Sequence, residues 1–266
     1  MGPDTRADGP RVGAREGAPV GRAARSASQS AALAIQAPLR ARFLRRYKRF
    51  FVDVETEEGR TLTVHCPNPG SMRGFLRPGA AVRCSIHENP RRKLAHTLEM
   101  MRVGRIWVGL NTLAANEVVA RALAAGLPRS LAGHSQIQRE VRLAPGGSGS
   151  RLDFRLVDAG GRETWLEVKS VTLAEGSVAR FPDSVTERGR KHVEELMRLR
   201  AGGARAVLLF LVQRADCRVV EPADDIDPEY AAALRKAARA GVEVVALGAR
   251  VTARAIRVER ELPVRL

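Results

Sequence analysis

The chain has 266 residues, 44% of them hydrophobic, enough to bury the core of one large or two ordinary domains, which excludes a wholly disordered protein. Its formal net charge of +16 favours a polyanionic partner, and 4% aromatic residues leave few platforms for stacking single strands, so duplex backbone is the expected target. Cys66, Cys84 and Cys217 lie far apart without a C-x-x-C pair, which excludes a disulfide framework or a zinc ribbon, and no apolar run has the length of a membrane span.

Residues 1–37 are rich in Gly, Ala, Ser, Pro and Arg without a sustained hydrophobic period, the composition of a disordered extension. From Leu39 to Leu113 the signals are for strands. They run from Arg49 to Thr56, through a turn at Glu57-Glu58-Gly59-Arg60, to Thr61 to Cys66 with Leu62, Val64 and Cys66 alternating, then Ala81 to Ile86 and Arg105 to Leu110. Short strands with Gly and Pro turns predict a small barrel over residues 38–114. Within it Arg45, Arg46, Lys48 and Arg49 are interleaved with Phe43, Tyr47, Phe50 and Phe51. That mixture suits phosphate neutralisation with some base stacking, although aromatics on a barrel strand more often fill the core. Asn68-Pro69-Gly70-Ser71 reads either as an amide-lined phosphate contact or as an ordinary tight turn.

Residues 115–266 have a different rhythm. Asn116 can cap a helix through about Ala125, and strands follow at Ser135 to Leu143, Arg151 to Val157 and Thr164 to Ser170. Gly146-Gly147-Ser148-Gly149 reads as a flexible connection within this meander, because no helix follows to make it a nucleotide loop. Thr186 can cap a helix to about Arg200, stopped by Gly202 and Gly203 and followed by the continuous apolar run Ala206 to Val212. A helix from Pro228 to Ala240 and a strand from Val242 to Leu247 come next. The order αβββαβ agrees with the core of the restriction-endonuclease-like fold.

Asp153 and the triplet Glu167-Val168-Lys169 carry the candidate chemistry. On a strand from Thr164 to Ser170, Trp165, Glu167 and Lys169 share one face and Leu166 and Val168 the other. Mg²⁺ takes hard oxygen ligands and keeps several waters, so Asp153 and Glu167, with Val168 through its backbone, suffice beside a substrate phosphate. Bound Mg²⁺ or Mn²⁺ would polarise that phosphate and acidify a water, while Lys169 would orient the water and stabilise charge in the transition state. Glu140, Asp183 and Glu187 are secondary candidates for positioning metal or water. Arg46, Lys48, Arg49, Arg188, Arg190 and Lys191 are the candidate DNA contacts, with His192 also beside the site. A surface Glu/Lys pair gives the same short pattern, so the surrounding motifs must carry the weight.

Those motifs are Arg151-Leu152-Asp153-Phe154, Glu167-Val168-Lys169-Ser170-Val171-Thr172-Leu173 and Phe181-Pro182-Asp183-Ser184-Val185-Thr186-Glu187-Arg188-Gly189, with Arg46-Tyr47-Lys48-Arg49-Phe50, His65-Cys66-Pro67-Asn68-Pro69-Gly70-Ser71-Met72 and Asn111-Thr112-Leu113 upstream. In order and spacing they closely resemble the sugar fermentation stimulation protein (SfsA) family, from about Leu39 to Leu266. The resemblance implies an α+β protein with an N-terminal OB-like β-barrel, an αβββαβ domain like the PD-(D/E)xK nucleases, and DNA binding. By that analogy Asp153, Glu167 and Lys169 fall on the nuclease motif. Ala114 stands where the family often has Trp, a departure that bears on any stacking role there and leaves the metal site untouched. Family descriptions also suggest a helix-turn-helix near Ala206 to Asp225, but Ala206 to Val212 reads as a buried central strand, and a recognition helix needs an exposed polar face.

The expected function is a divalent-metal-dependent DNA nuclease, soluble and cytoplasmic, with no membrane partner and with homodimerisation left open. The alternative is a non-catalytic, largely sequence-nonspecific DNA-binding regulator of sugar (maltose) metabolism genes.

Overall fold

The computed structural model describes residues 32–143 and 151–266. The glycine-rich stretch 146–149 and most of the expected N-terminal extension lie outside them. The end of that extension is a correction: β1 (Ala32–Ala34) forms a strand, Ile35 N donates to Arg254 O at 2.8 Å, and Ala37 is buried. Small apolar side chains with a free strand edge to pair with are sufficient for this, and that edge lies more than two hundred residues away.

The barrel is built from β2 (Leu39–Tyr47), β3 (Phe51–Thr56), β4 (Thr61–His65), β5 (Ala81–Ile86) and β6 (His96–Val103); burial alternates along the first part of β2, whereas β3 and β6 carry unbroken buried runs at residues 52–54 and 97–101. Strands β2, β3 and β4 form an antiparallel meander, β5 pairs with both β2 and β6, and a parallel His65↔Thr97 pairing closes the ring. This is the five-stranded OB arrangement. Phe43, Val54, Val64, Val82, Leu98 and Met101 fill its interior. Strand β6 escapes the strand signals of the sequence because Glu99 and Thr97 interrupt its apolar pattern; both side chains are buried and hydrogen-bonded, Glu99 to Ser85 and Thr97 to His87.

Strand β7 (Ile106–Gly109) then leads into α1 (Leu113–Ala124). The second domain continues with β8 (His134–Arg142), β9 (Arg151–Asp158), β10 (Glu163–Val171), the small hairpin β11 (Ala174–Glu175) and β12 (Val178–Phe181), and α2 (Glu187–Ala201). It ends with β13 (Arg205–Val212), β14 (Val219–Pro222), α3 (Pro228–Arg239), β15 (Glu243–Val251) and β16 (Ala255–Leu262). The αβββαβ order is therefore present, with the β11–β12 hairpin inserted before α2. Thr186 caps α2 by accepting from Gly189 N, and Asp227 caps α3, which has Pro228 in its first turn.

The main sheet of this domain runs β8-β9-β10-β13-β15, with β16 on β15 and β1 on β16. Strands β10, β13 and β15 are parallel, so both faces of the central β13 are covered: α1 packs Val118, Val119 and Ala122 on one, α2 and α3 pack Val193, Leu196 and Leu234 on the other. Residues 206–212 are all buried in that strand, which leaves no recognition helix there. A single pairing, Val251↔Trp107, makes β7 the bridge from barrel to sheet. Beside it Gly109 N donates to Gln213 O at 2.9 Å, and any Cβ at 109 would come within 2.6 Å of the Gln213 side-chain oxygen. Among the described residues no helix is long and apolar enough to cross a membrane.

Candidate active site

Strand β10 is hydrogen-bonded to β13 from Thr164 to Val171, but its pairing with β9 stops at Leu166↔Phe154. Beyond that point the two strands part, and Val168 N, released from the ladder, donates to Asp153 Oδ2 at 2.7 Å. The N–H and C=O of one strand residue point to the same side, so the Val168 carbonyl also faces this gap.

Glu167 and Lys169 lie on the α2 face while Leu166 and Val168 join the core under α1, as strand alternation requires. Glu167 is 3% exposed. Lys169 Nζ donates to its Oε1 at 2.7 Å, and His192 Nδ1 from α2 touches the same oxygen. Its Oε2 is buried with no hydrogen-bond partner. Burial alone would raise the Glu167 pKa; the Lys169 ammonium and the His192 ring outweigh it and hold the carboxyl below its ordinary value. Asp153 goes the other way, pushed up to about 6 by burial and by the charge of Glu167, against the hydrogen bonds from Val168 N and Asn116.

Asn116 is a second correction. Helix α1 starts three residues earlier, after Thr112, so Asn116 sits inside its first turn and caps nothing. Its side-chain amide donates to Asp153 Oδ1 at 2.7 Å and to Glu140 Oε1 at 3.3 Å. The residue type suited a cap, and sequence alone had no means of showing the carboxylate opposite.

These groups open into a cleft of about 610 Å³ lined by both domains: Arg49 and residues 68–70 from the barrel, and Asp153, Glu167 and Lys169 from the sheet. Two family models match the chain in the same arrangement. The SfsA N-terminal OB domain covers residues 44–110, and the sugar fermentation stimulation protein RE domain covers residues 113–255. The chain belongs to the sugar fermentation stimulation protein (SfsA) family.

Curated SfsA homologues agree over nearly their whole length. One from Geobacter sulfurreducens is 47% identical across 83% of this chain and 93% of its own, and one from Thioalkalivibrio sulfidiphilus is 50% identical across 84% and 93%. The solved structure of Pyrococcus furiosus SfsA in complex with Ca²⁺ superposes with a TM-score of 0.80 at 28% identity, over 88% of this chain and 98% of that one.

Within this SfsA chain the expected contacts separate. Glu140 lines the cleft, paired with Arg151 Nε at 2.7 Å, and has a left-handed backbone, φ +53°. Asp183 also lines it, but its carboxylate faces the barrel: Oδ2 accepts Met72 N at 3.0 Å, and its carbonyl accepts the Ser71 hydroxyl. Glu187 is exposed at the start of α2 on the cleft wall. Arg46 is engaged within the barrel, donating to the carbonyls of Asn68 (2.7 Å), Gly70 (2.8 Å) and Arg49 (2.8 Å), so it is a clamp on the 68–71 turn and not a free phosphate contact. Arg190 is likewise paired, with Glu229 of α3. Arg49 and Arg188 line the cleft, Arg188 Nε reaching His192 Nε2 at 3.4 Å, and Lys48 and Lys191 are exposed outside its lining. The cysteines are free and buried, and burial pushes the Cys84 and Cys217 thiols up to about 12.

The donor set fits a divalent cation. Two carboxylates and one carbonyl are hard oxygens, and the buried Glu167 Oε2 lacks the partner a buried carboxylate requires. Among the described residues no group of three or more His, Cys, Asp or Glu side chains is arranged to hold a metal ion by itself, so waters or a phosphate would complete the shell.

Proposed function

We propose that this SfsA chain is a divalent-cation-dependent DNA nuclease, with Asp153, Glu167 and the Val168 carbonyl holding Mg²⁺ or Mn²⁺. The observation that carries the reading is the buried, unpartnered Glu167 Oε2 beside Asp153, with the Lys169 ammonium on the same strand face. When bound, the cation would supply charge neutralisation at the phosphate and a more acidic water. The chain's own residues do the rest. Lys169 and His192 both engage Glu167 Oε1, which leaves Oε2 as the oxygen that would hold the ion. Asn116 and Val168 N hold one oxygen of Asp153 each, fixing its plane. Lys169 donates to the attacking water and to the charge that builds on the phosphate oxygens. Arg49 and Arg188 on the cleft wall neutralise flanking phosphates. The Ca²⁺ named for the Pyrococcus furiosus relative supports divalent binding in the family.

The test is incubation of the purified protein with supercoiled, linear and single-stranded DNA in Mg²⁺, Mn²⁺ or EDTA, beside Glu167→Gln and Lys169→Ala. Metal-dependent cleavage lost in both variants is the expected result. Salt-sensitive binding with no cleavage by the unaltered protein would overturn it in favour of a non-catalytic DNA-binding role.

A further inference from the structure

The loop joining β2 to β3, Lys48-Arg49-Phe50, is an unusual hairpin tip. Lys48 and Arg49 have φ of +45° and +62°, the left-handed region that long side chains disfavour and that a hairpin normally fills with Asn or Gly. The tip is nevertheless held firmly: Arg46 Nε donates to Arg49 O at 2.8 Å, Phe50 N to Lys48 O at 2.7 Å, and Cys66 N to Phe50 O at 2.8 Å. The strained turn presents two cations and an aromatic ring together.

The other aromatics of this region are accounted for. Phe43 is core, and Tyr47 and Phe51 stack on one another at 5.7 Å. Phe50 remains 40% exposed, its ring tilted against His65 at a centroid distance of 6.4 Å. It adjoins the cleft through both neighbours: Arg49 lines the wall beside Asp153 and Glu167, and the strand carrying His65 runs on into Asn68 of the same wall.

We propose that Phe50, flanked by Lys48 and Arg49, is a stacking platform for an unpaired base of the DNA whose backbone enters the cleft. Exposed cations around an exposed ring match a polyanion that also offers flat apolar faces. A blunt duplex offers the phosphates but keeps its bases stacked inside. One ring serves one base, in keeping with the few aromatics of the chain. The substrate class that follows is DNA with an unpaired stretch next to the cleaved bond, such as a junction between duplex and single strand. The inference rests on the nuclease reading for the bond cleaved, and the stacking itself is read by binding alone.

The experiment measures anisotropy in EDTA, where no cleavage occurs, with a blunt duplex and with the same duplex carrying a single-stranded extension that contains 2-aminopurine. The unaltered protein, Phe50→Leu and Phe50→Trp are compared after their folding is checked by thermal melting. Phe50→Leu is expected to weaken binding of the extended duplex about tenfold and to abolish 2-aminopurine quenching, while the blunt duplex changes less than about twofold; Phe50→Trp keeps both signals. Equal binding of the two DNAs by all three proteins, or an equal loss on both DNAs in Phe50→Leu, overturns the inference. Absence of cleavage in Mg²⁺ with Phe50-dependent stacking intact would refute the nuclease reading and leave this one standing.

Discussion

Asp183, in the loop before α2, accepts the backbone amide of Met72 in the barrel at 3.0 Å, across 111 residues of sequence. The contact joins the turn that forms one cleft wall to the loop that forms the other. It is tight: a Cβ added at Gly70 would overlap the Asp183 carboxylate. The two domains are thus held together at the candidate site, and what disturbs the joint disturbs the cleft.

Gly70→Ala should therefore lower stability by about 1–3 kcal/mol through overpacking. Asp183→Ala removes both the hydrogen bond and the obstruction, so the double variant should be less destabilised than the sum of the singles. Denaturant melts of the four proteins check this, and strict additivity would mean the residues do not meet.

Arg46→Lys keeps the charge but loses the planar fork that reaches three carbonyls, and should cost about 1–3 kcal/mol of stability. Because Arg46 is engaged internally, the salt dependence of DNA binding should not change. Arg188→Ala, on the cleft wall, should reduce the slope of log K against log salt by about one. Affinity titrations at four salt concentrations separate the two residues.

Asp153 supplies a pH signature. Its folded pKa, about 6, lies above the ordinary 3.8, so the folded protein binds that proton more tightly than the unfolded chain. Its contribution to stability therefore falls as pH rises from 3.8 to about 6, and above that the buried charge is fully felt. A divalent ion relieves this cost but must displace the proton at lower pH. At pH 7.5 Ca²⁺ at a hundredfold excess over Kd should add about 2.7 kcal/mol of stability, seen as a raised Tm, and distinctly less at pH 5. Glu167→Gln should abolish the shift, and an equal shift at both pH values would remove Asp153 from the ligand set.

Lys169→Met preserves most of the side-chain volume and removes the ammonium. Cleavage should fall about 100-fold or more. With Lys169 gone, burial of Glu167 is opposed chiefly by His192, so its pKa should rise, while loss of the neighbouring ammonium also removes repulsion of the ion, so Ca²⁺ affinity at neutral pH should be retained. Single-turnover cleavage and calorimetric Ca²⁺ titration report the two effects independently.

Properties set by near neighbours were legible in the sequence by itself. The co-facial Glu167 and Lys169, the Thr186 cap of α2 and the buried run in β13 each depend on a repeat of two or four residues, or on one residue's local preference. Roles set by distant partners were not. Arg46 read as a DNA contact until the carbonyls of residues 68–71 came around it, and Asn116 read as a cap until Asp153 arrived opposite. His192 acquired a role only where α2 crosses β10, and Ala32–Ala34 became a strand only because β16 offers an edge. Local pattern decides which backbone an element adopts, whereas a polar side chain's function depends on the group it meets, and only the folded chain brings those groups together.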